Sequence, residues 1–286
     1  MEDLHIHMIL DGVDWKAAIG AQKLQPEDAL IRARLADYRA RGVTLLRDGG
    51  DAWGVCLRAR ALAGEYGIDY RSPAFPIYQK SHYGAFIGRG FSDWTEYARL
   101  LDAAEEKQAD FVKLMISGLI DFNVYGRLTE AGPEPADIRK MIRLARERGF
   151  AVMVHANGDA AVQAALEAGA ASVEHGAYLS RETLLRLAET ETVWVPTLAT
   201  IANLIGCGRH PDEVLRRLLA AQQESIAFAA AHGASIGSGS DAGAYRVFHG
   251  QAALDERGYL TAALGTAAER TLSYAAGQIE RKFRRM

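Results

Sequence analysis

Short apolar runs alternate with longer amphipathic stretches along most of the chain. The runs predict strands at residues 3–8, 43–48, 69–77, 111–116, 151–155, 171–175, 193–197 and 234–239. The stretches predict helices at residues 26–41, 52–65, 93–107, 134–148, 159–168, 181–189, 212–232 and 267–286. Such alternation is typical of βαβ units and a parallel sheet. We therefore predict the α/β class and a (β/α)8 barrel, or TIM barrel, a fold of about 250 residues.

The predicted domain organisation is a single unit. No linker, low-complexity segment or composition shift divides the 286 residues. We expect one (β/α)8 barrel domain over residues 1–286, with a C-terminal helix.

The composition and charge of the chain limit its expected partners and location. A formal net charge of −3 gives no support for a nucleic-acid partner. No run reaches the roughly 18 apolar residues of a membrane span, and the start MEDLHIHM does not resemble a signal peptide. Two distant cysteines, Cys56 and Cys207, favour a reducing compartment. We expect a cytoplasmic protein that acts on a small molecule, and homo-oligomer formation stays open.

Potential metal ligands close the predicted strands. They are His5, His7, Lys113, His155, His175 and Asp241. Imidazole and carboxylate groups suit a divalent transition metal. Side chains two apart on a strand share a face, so His5 and His7 point the same way. Because the carboxyl ends of barrel strands meet at the face where such enzymes keep their chemistry, we predict a metal site there.

Lys113 lies in the apolar run FVKLM and allows three interpretations. An unpaired buried ammonium is costly. A depressed pKa would keep the amine neutral. Reaction with CO2 would give a carbamate that bridges two cations, and an ion pair with Asp48 or Asp241 is the structural alternative. The accompanying histidines favour the carbamate.

Asp241 closes the run SIGSGSDAGA, whose small residues allow close approach to a metal. A carboxylate in that position can take a proton from water and pass it to a leaving group. A helix N-cap is the other interpretation of Asp241, and the small residues on both sides of it argue against that role.

These residues resemble the amidohydrolase superfamily in its binuclear, carbamylated-lysine form. The similarity is carried by DLHIHMILDG, GVTLLRDGG, VKLMISG, VMVHANGDAAVQAALEAGAASVEHG and GSDAGA with FHG, and is greatest to the imidazolonepropionase-like and prolidase-like group. The resemblance implies two divalent ions, with zinc the expected metal, and a metal-bridged hydroxide. It implies that His5, His7 and Asp241 bind one ion, that His155 and His175 bind the other, and that carbamylated Lys113 (N6-carboxylysine) joins them.

The chain departs from this family in one respect. Members usually carry a β-sandwich flanking the barrel, whereas only two residues precede the first predicted strand and the tail is predicted to be helical. Imidazolonepropionase itself uses one metal and lacks the lysine, so Lys113 argues against that activity.

Loop residues could contact the substrate. These candidates are His82, Tyr83, Arg89, Tyr125, Arg127, Arg246 and His249. An arginine there could bind a substrate carboxylate in bidentate fashion. His249 could also orient Asp241 or simply precede a helix, and His210 before Pro211 is expected to be structural.

Several functions are compatible with this pattern. The first is hydrolysis of an amide or cyclic amide C–N bond in a dipeptide, an N-acyl amino acid or a similar compound, with Asp241 as proton shuttle. The second is a lactonase or phosphotriesterase-like hydrolase on the same ligand order. The third is a mononuclear deaminase, although no glutamate lies near His155. A non-catalytic binding barrel is the fourth.

Overall fold

Parallel strands joined by helices make up the protein, which has an α/β fold. The computed structural model describes residues 1–284, so Arg285 and Met286, the end of the predicted domain and helix, lie outside the described residues. The strands are β1 (Glu2–Ile6), β2 (Leu45–Asp48), β3 (Asp69–Arg71), β4 (Pro76–Gln79), β5 (Arg89–Phe91), β6 (Val112–Met115), β7 (Val152–Ala156), β8 (Ser172–His175), β9 (Val193–Val195) and β10 (Ser235–Ile236).

Helices cover most of the connections between strands. They are α1 (Trp15–Gln22), α2 (Asp28–Ala40), α3 (Val55–Ala63), α4 (Trp94–Glu106), α5 (Pro135–Glu147), α6 (Asp159–Glu167), α7 (Arg181–Ala188), α8 (Ala199–Ala202), α9 (Asp212–Ala231), α10 (Gln251–Leu264) and α11 (Ala268–Lys282). None of the helices within residues 1–284 has the length and apolar character that a bilayer span requires.

The strands form two parallel sheets, and backbone hydrogen bonds connect both edges of the smaller sheet to segments next to strands of the larger one. The sheet orders are β1-β2-β3 and β10-β9-β8-β7-β6-β4-β5. Beside β1, the Leu4 amide donates to Ser238 at 2.9 Å and the His7 amide donates to Ala242 at 2.8 Å. After β3, Ser72 accepts from the Asp110 amide at 2.9 Å. The first strand therefore lies next to the segment that follows the last one.

Each predicted strand has a counterpart in the structure, but the third is divided. Residues 69–77 form β3 and β4, separated at Pro73 and Ala74. Proline lacks the amide hydrogen for a strand ladder, and Ala74 has a φ of 65°. The additional strand β5 pairs with β4 outside the predicted set.

Three helices were not predicted. Asp14 is the N-cap residue of helix α1. Its carboxylate accepts hydrogen bonds from the amides of Lys16 and Ala17 at 2.9 and 3.1 Å, so the start of the helix depends on an ordinary N-cap. Helix α10 lacks a clear apolar stripe because its small and polar residues are mixed around the helix. Helix α8 has only four residues, fewer than a periodic pattern needs.

Candidate metal centre

His5 and His7 lie together at the end of the first strand. His5 is the penultimate residue of β1, and His7 follows the strand. Their ring centroids are 5.4 Å apart. Each imidazole places its Nε2 atom 3.6 Å from Oδ1 of Asp241. The two imidazoles therefore point in the same direction, as their spacing in the sequence predicted.

Neighbouring strands β6, β7 and β8 contribute the central ligand candidates. The register pairs Lys113 with Met153, Met115 with His155, and Ala156 with His175. The His155 and His175 ring centroids are 4.5 Å apart, and those of His5 and His175 are 5.1 Å apart. Side chains distant in sequence therefore converge because parallel strands end at a common edge.

His175 and Asp241 have left-handed backbones, with φ values of 69° and 60°. Such a conformation in a residue other than glycine costs about 1–3 kcal/mol, and it is frequent at functional sites. Surrounding bonds hold it in place. The Asp241 amide donates to the His5 carbonyl at 2.7 Å, and the His175 carbonyl accepts from Trp194 Nε1 at 3.0 Å and Gln222 Nε2 at 2.7 Å.

Burial keeps the four imidazoles neutral. Burial and the neighbouring Lys113 ammonium lower the pKa of His7 to about 3, and burial lowers the pKa of His155 to about 3 in the same way. The pKa values of His5 and His175 are held well below the ordinary range, mainly by burial. Neutral imidazole is the form of histidine that binds metal ions.

Lys113 has a buried and unpartnered amine. No described atom forms a hydrogen bond with its Nζ, and the residue is 1% exposed. Burial lowers the pKa of Lys113, against the attraction of Glu174 and Asp241. Asp48 accepts instead from the amides of Met8 at 3.0 Å and Gly50 at 2.6 Å. Within residues 1–284, neither Asp48 nor Asp241 forms the ion pair with Lys113 considered above.

A chain of buried charges supports His5. The His5 Nδ1 atom lies 2.9 Å from Oε2 of Glu174. The guanidinium of Arg47 donates to both oxygens of Glu174, at 2.8 and 3.0 Å. All three side chains are almost fully buried. The Glu174 contact fixes the proton on Nδ1 and leaves Nε2 of His5 free to face Asp241.

Two of the other three imidazoles have a polar atom within hydrogen-bond distance. His175 Nδ1 lies 2.7 Å from Thr197 Oγ1, and His155 Nε2 lies 3.2 Å from the Gly118 carbonyl. The Nδ1 atom of His7 has no partner in the described chain. Ligand atoms of His5, His175 and Asp241 lie within 4.8 Å of one another. The donor set of neutral imidazoles, a carboxylate and an unpartnered amine fits divalent metal ions.

A cavity of about 670 Å³ opens above these residues. Two of the predicted substrate contacts line it, His82 and Tyr83. The Tyr83 ring lies 5.1 Å from the ring of His155. Glu130 fixes this loop, because its Oε1 accepts from the Tyr83 amide at 2.7 Å and lies 3.4 Å from Nδ1 of His82.

The other five predicted substrate contacts do not line this cavity. The guanidinium of Arg89 lies over the Phe75 ring, Arg127 pairs with Asp121, and the Tyr125 ring contacts Tyr178 and Arg217. Arg246 is exposed, with its amide bonded to Gly12. His249 is buried, with its Nδ1 atom 3.1 Å from Tyr38 Oη and its Nε2 atom 2.9 Å from the Leu10 carbonyl.

Much of the cavity wall consists of residues that were not predicted from the sequence. Residues that it did not single out for this surface include Val13, Trp15, Phe86, Phe122, Glu130, Arg209 and Tyr245. His210, expected to be structural, also lines the cavity, with its Nδ1 atom 3.0 Å from Asn123 Oδ1. The available signal was position, since Arg209 and His210 follow the seventh predicted strand, where barrel loops face the site.

Comparison with curated proteins gives a partial match. Uncharacterized proteins of Mycobacterium bovis and Mycobacterium tuberculosis are 30% identical over 122 residues, which is 41% of this chain. The match spans 33% of those relatives' length. No protein-family model matches the sequence.

Solved structures resemble the chain over nearly its whole length. A Xaa-Pro dipeptidase with bound methionine has a TM-score of 0.77 and 19% identity, over 99% of this chain and 75% of its own. An ochratoxinase from A. niger has a TM-score of 0.75 and 18% identity, over 94% and 68%. A prolidase complexed with N-methylphosphonate-L-proline has a TM-score of 0.71 and 22% identity, over 98% and 74%. The chain therefore has the fold of the amidohydrolase and prolidase structures, as the sequence resemblance predicted.

Proposed function

We propose that the protein is a metal-dependent hydrolase of an amide or cyclic amide C–N bond, built as one (β/α)8 barrel domain over residues 1–286. The barrel proposal is supported by the backbone bonds that join β1 to the segment after β10. The single observation that carries the function is the unpartnered, buried Nζ of Lys113 among neutral imidazoles and Asp241. The dipeptidase and prolidase among the similar folds support amide chemistry.

Two divalent ions, zinc in the first instance, would occupy the centre. His5, His7 and Asp241 would hold one ion, and His155 and His175 the other. Lys113 would bridge them after its neutral amine attacks CO2, forms an N–C bond and releases a proton. Burial favours that neutral amine because it lowers the pKa of Lys113. When bound, such ions polarise a carbonyl and lower the pKa of water to about 7.

Asp241 would act as the proton carrier. Its Oδ1 lies 3.6 Å from two imidazoles, and the carboxylate lines the cavity. Burial raises the pKa of Asp241, so the carboxylate accepts a proton more readily than an exposed one. It would take a proton from the attacking water and return it to the leaving nitrogen.

His82 and Tyr83 would orient the substrate. Both line the cavity, and Tyr83 lies beside His155. The Tyr83 hydroxyl stays protonated because burial raises the pKa of Tyr83 far above neutral. It can therefore donate a hydrogen bond to a substrate carbonyl.

Metal analysis and a substrate screen test the proposal together. Elemental analysis after dialysis should find about two divalent ions per chain. The zinc-loaded protein should hydrolyse members of a panel of dipeptides and N-acyl amino acids in preference to lactones and phosphotriesters. Lys113→Ala should lose one or both ions and most activity, and acetate or propionate should restore part of each. A plain lysine ammonium in a metal-loaded crystal would contradict the bridged centre.

A second candidate is a mononuclear enzyme such as a deaminase. The observation in its favour is the tight convergence of His5, His175 and Asp241, whose ligand atoms lie within 4.8 Å of one another. A reproducible count of one ion per chain, together with release of ammonia from amino-substituted heterocycles, would favour this candidate.

A further inference from the structure

Within residues 1–284, the cavity wall outside the metal centre carries one arginine, Arg209, which forms no ion pair with a carboxylate. Of the lining cations, Lys113 belongs to the centre and Arg209 lies on the loop between α8 and α9. No carboxylate within residues 1–284 forms an ion pair with Arg209. The other acidic wall residue, Glu130, lies against His82. A charge at Arg209 is thus available to a ligand.

The Arg209 side chain is exposed and its guanidinium packs against an aromatic ring. It lies 4.4 Å from the ring centroid of Tyr245, in a cation–π contact. Both residues line the cavity. Stacking on an aromatic ring restricts the arginine and leaves the edge of the guanidinium, with its N–H groups, open to a bidentate acceptor. The neighbouring His210 does not compete for an anion, because burial and Arg209 lower the pKa of His210.

Much of the rest of the outer wall is apolar. Residues of this kind that line the cavity include Val13, Trp15, Phe86, Leu119 and Phe122. The Trp15 and Phe86 rings form an edge contact with centroids 5.7 Å apart. A ligand with one carboxylate and a bulky apolar group would satisfy both the single cation and this surface.

We infer that Arg209, seated on Tyr245, binds the carboxylate of the substrate and selects acylated amino acids or dipeptides with a bulky apolar group. The inference rests on the proposed amide hydrolysis for its substrate class. The binding step itself requires no turnover. Arg209 acts as a specificity residue and takes no part in bond cleavage.

Binding of matched probes tests the inference. N-acetyl-L-phenylalanine and its primary amide differ by one charge, and calorimetry with the purified full-length protein measures both. The wild-type protein should bind the acid about tenfold tighter or more, since a hydrogen bond to a charged group is the stronger kind. Arg209→Met, which keeps an apolar stem over Tyr245, should remove the difference, and Arg209→Lys should restore part of it.

Arg246→Met is the matched control. Arg246 is an exposed arginine close in sequence to Tyr245, but it does not line the cavity. Its variant should keep the full preference for the acid. An equal affinity of the wild-type protein for both probes, or a preference that persists in Arg209→Met, would overturn the inference. Hydrolysis of the same pair reports separately on the proposed function: KM for the acid should rise in Arg209→Met while kcat changes little, and absence of any hydrolysis counts against the proposed function alone.

Discussion

Glu174 determines how the His5 imidazole presents itself to the centre. Its carboxylate contacts Nδ1 of His5 at 2.9 Å and is held on its other side by Arg47. The position of His5 is therefore supported by two residues that do not line the cavity. Single substitutions should therefore distinguish a residue that positions a metal ligand from one that transfers a proton.

Glu174→Gln should weaken metal binding about 10- to 100-fold, the usual effect of losing a partner that orients a ligand. It should also lower the Tm, because Arg47 is left buried with its charge uncompensated. Isothermal titration of zinc into the metal-stripped protein measures the first effect, and thermal unfolding measures the second. Glu167→Gln, which removes one exposed carboxylate from pairs with Arg139 and Arg186, is the control and should leave both values near wild type. Unchanged zinc affinity in Glu174→Gln would contradict the positioning role.

Asp241→Asn should retain bound metal and lose turnover. The amide keeps an oxygen near His5 and His7, but it cannot carry a proton at neutral pH. Loss of a general acid and base costs about 10²- to 10⁴-fold in rate. The ion count per chain, taken on the same preparation, is the control. Turnover at the wild-type rate would leave Asp241 as a ligand alone.

At the scale of elements, the ends of strands and the loops that follow them set the geometry. Gly49 directly follows β2 and packs against His7, so that an added Cβ would meet the imidazole ring, with Nε2 at 2.9 Å. The φ of Gly49 is not in the left-handed region, so any effect of a substitution comes from this contact. The loop after β2 therefore determines the position of a ligand from β1.

Gly49→Ala should displace the His7 ring and reduce the metal content of the purified protein. Gly20→Ala is the matched control. Gly20 lies within α1, and an added Cβ there has no atom within 4 Å. Alanine in a helix interior is favoured over glycine by about 1 kcal/mol, so the control should bind metal normally and unfold at the same or a higher temperature. Equal metal content in both variants would show that the His7 ring has room to move.

The convergence of the candidate ligands could be predicted from sequence because of the same property of strands. Lys113, His155 and His175 each lie within or at the end of a short apolar run, and the carboxyl ends of parallel strands meet at one edge. The support behind His5 could not be predicted, since 127 residues separate Arg47 from Glu174 and only the fold brings them together. The directions of the loop side chains could not be predicted from the sequence either. Arg89 turns to the Phe75 ring because tertiary packing, which leaves no periodic signal, decides where a loop side chain goes.

At the scale of the whole molecule, buried acids couple folding to pH. Glu256 in α10 is fully buried; its Oε2 accepts from the Ala199 amide at 2.7 Å, and its Oε1 has no partner in the described chain. Burial raises the pKa of Glu256 from the ordinary 4.5 to about 8. The folded protein therefore holds a proton that the unfolded chain releases between these values.

Because the unfolded state binds fewer protons in this window, the contribution of Glu256 to stability falls as pH rises from about 4.5 to about 8 and is level above that. Glu256→Gln should flatten this part of the profile and raise the Tm relative to wild type near pH 8. Thermal unfolding across pH 5 to about 9 measures it. The exposed Glu182→Gln should follow the wild-type profile. A parallel profile for Glu256→Gln would mean that Glu256 does not titrate in the folded protein.

The C-terminal helix is linked to the candidate metal centre through three contacts. Phe283, just after α11, lies under the Arg47 guanidinium, with the ring centroid 4.5 Å away. Arg47 binds Glu174, and Glu174 contacts His5. A truncation that ends before Phe283 would expose the face of the Arg47 guanidinium that this ring covers. We therefore expect that this truncation first causes release of bound zinc, before the protein unfolds.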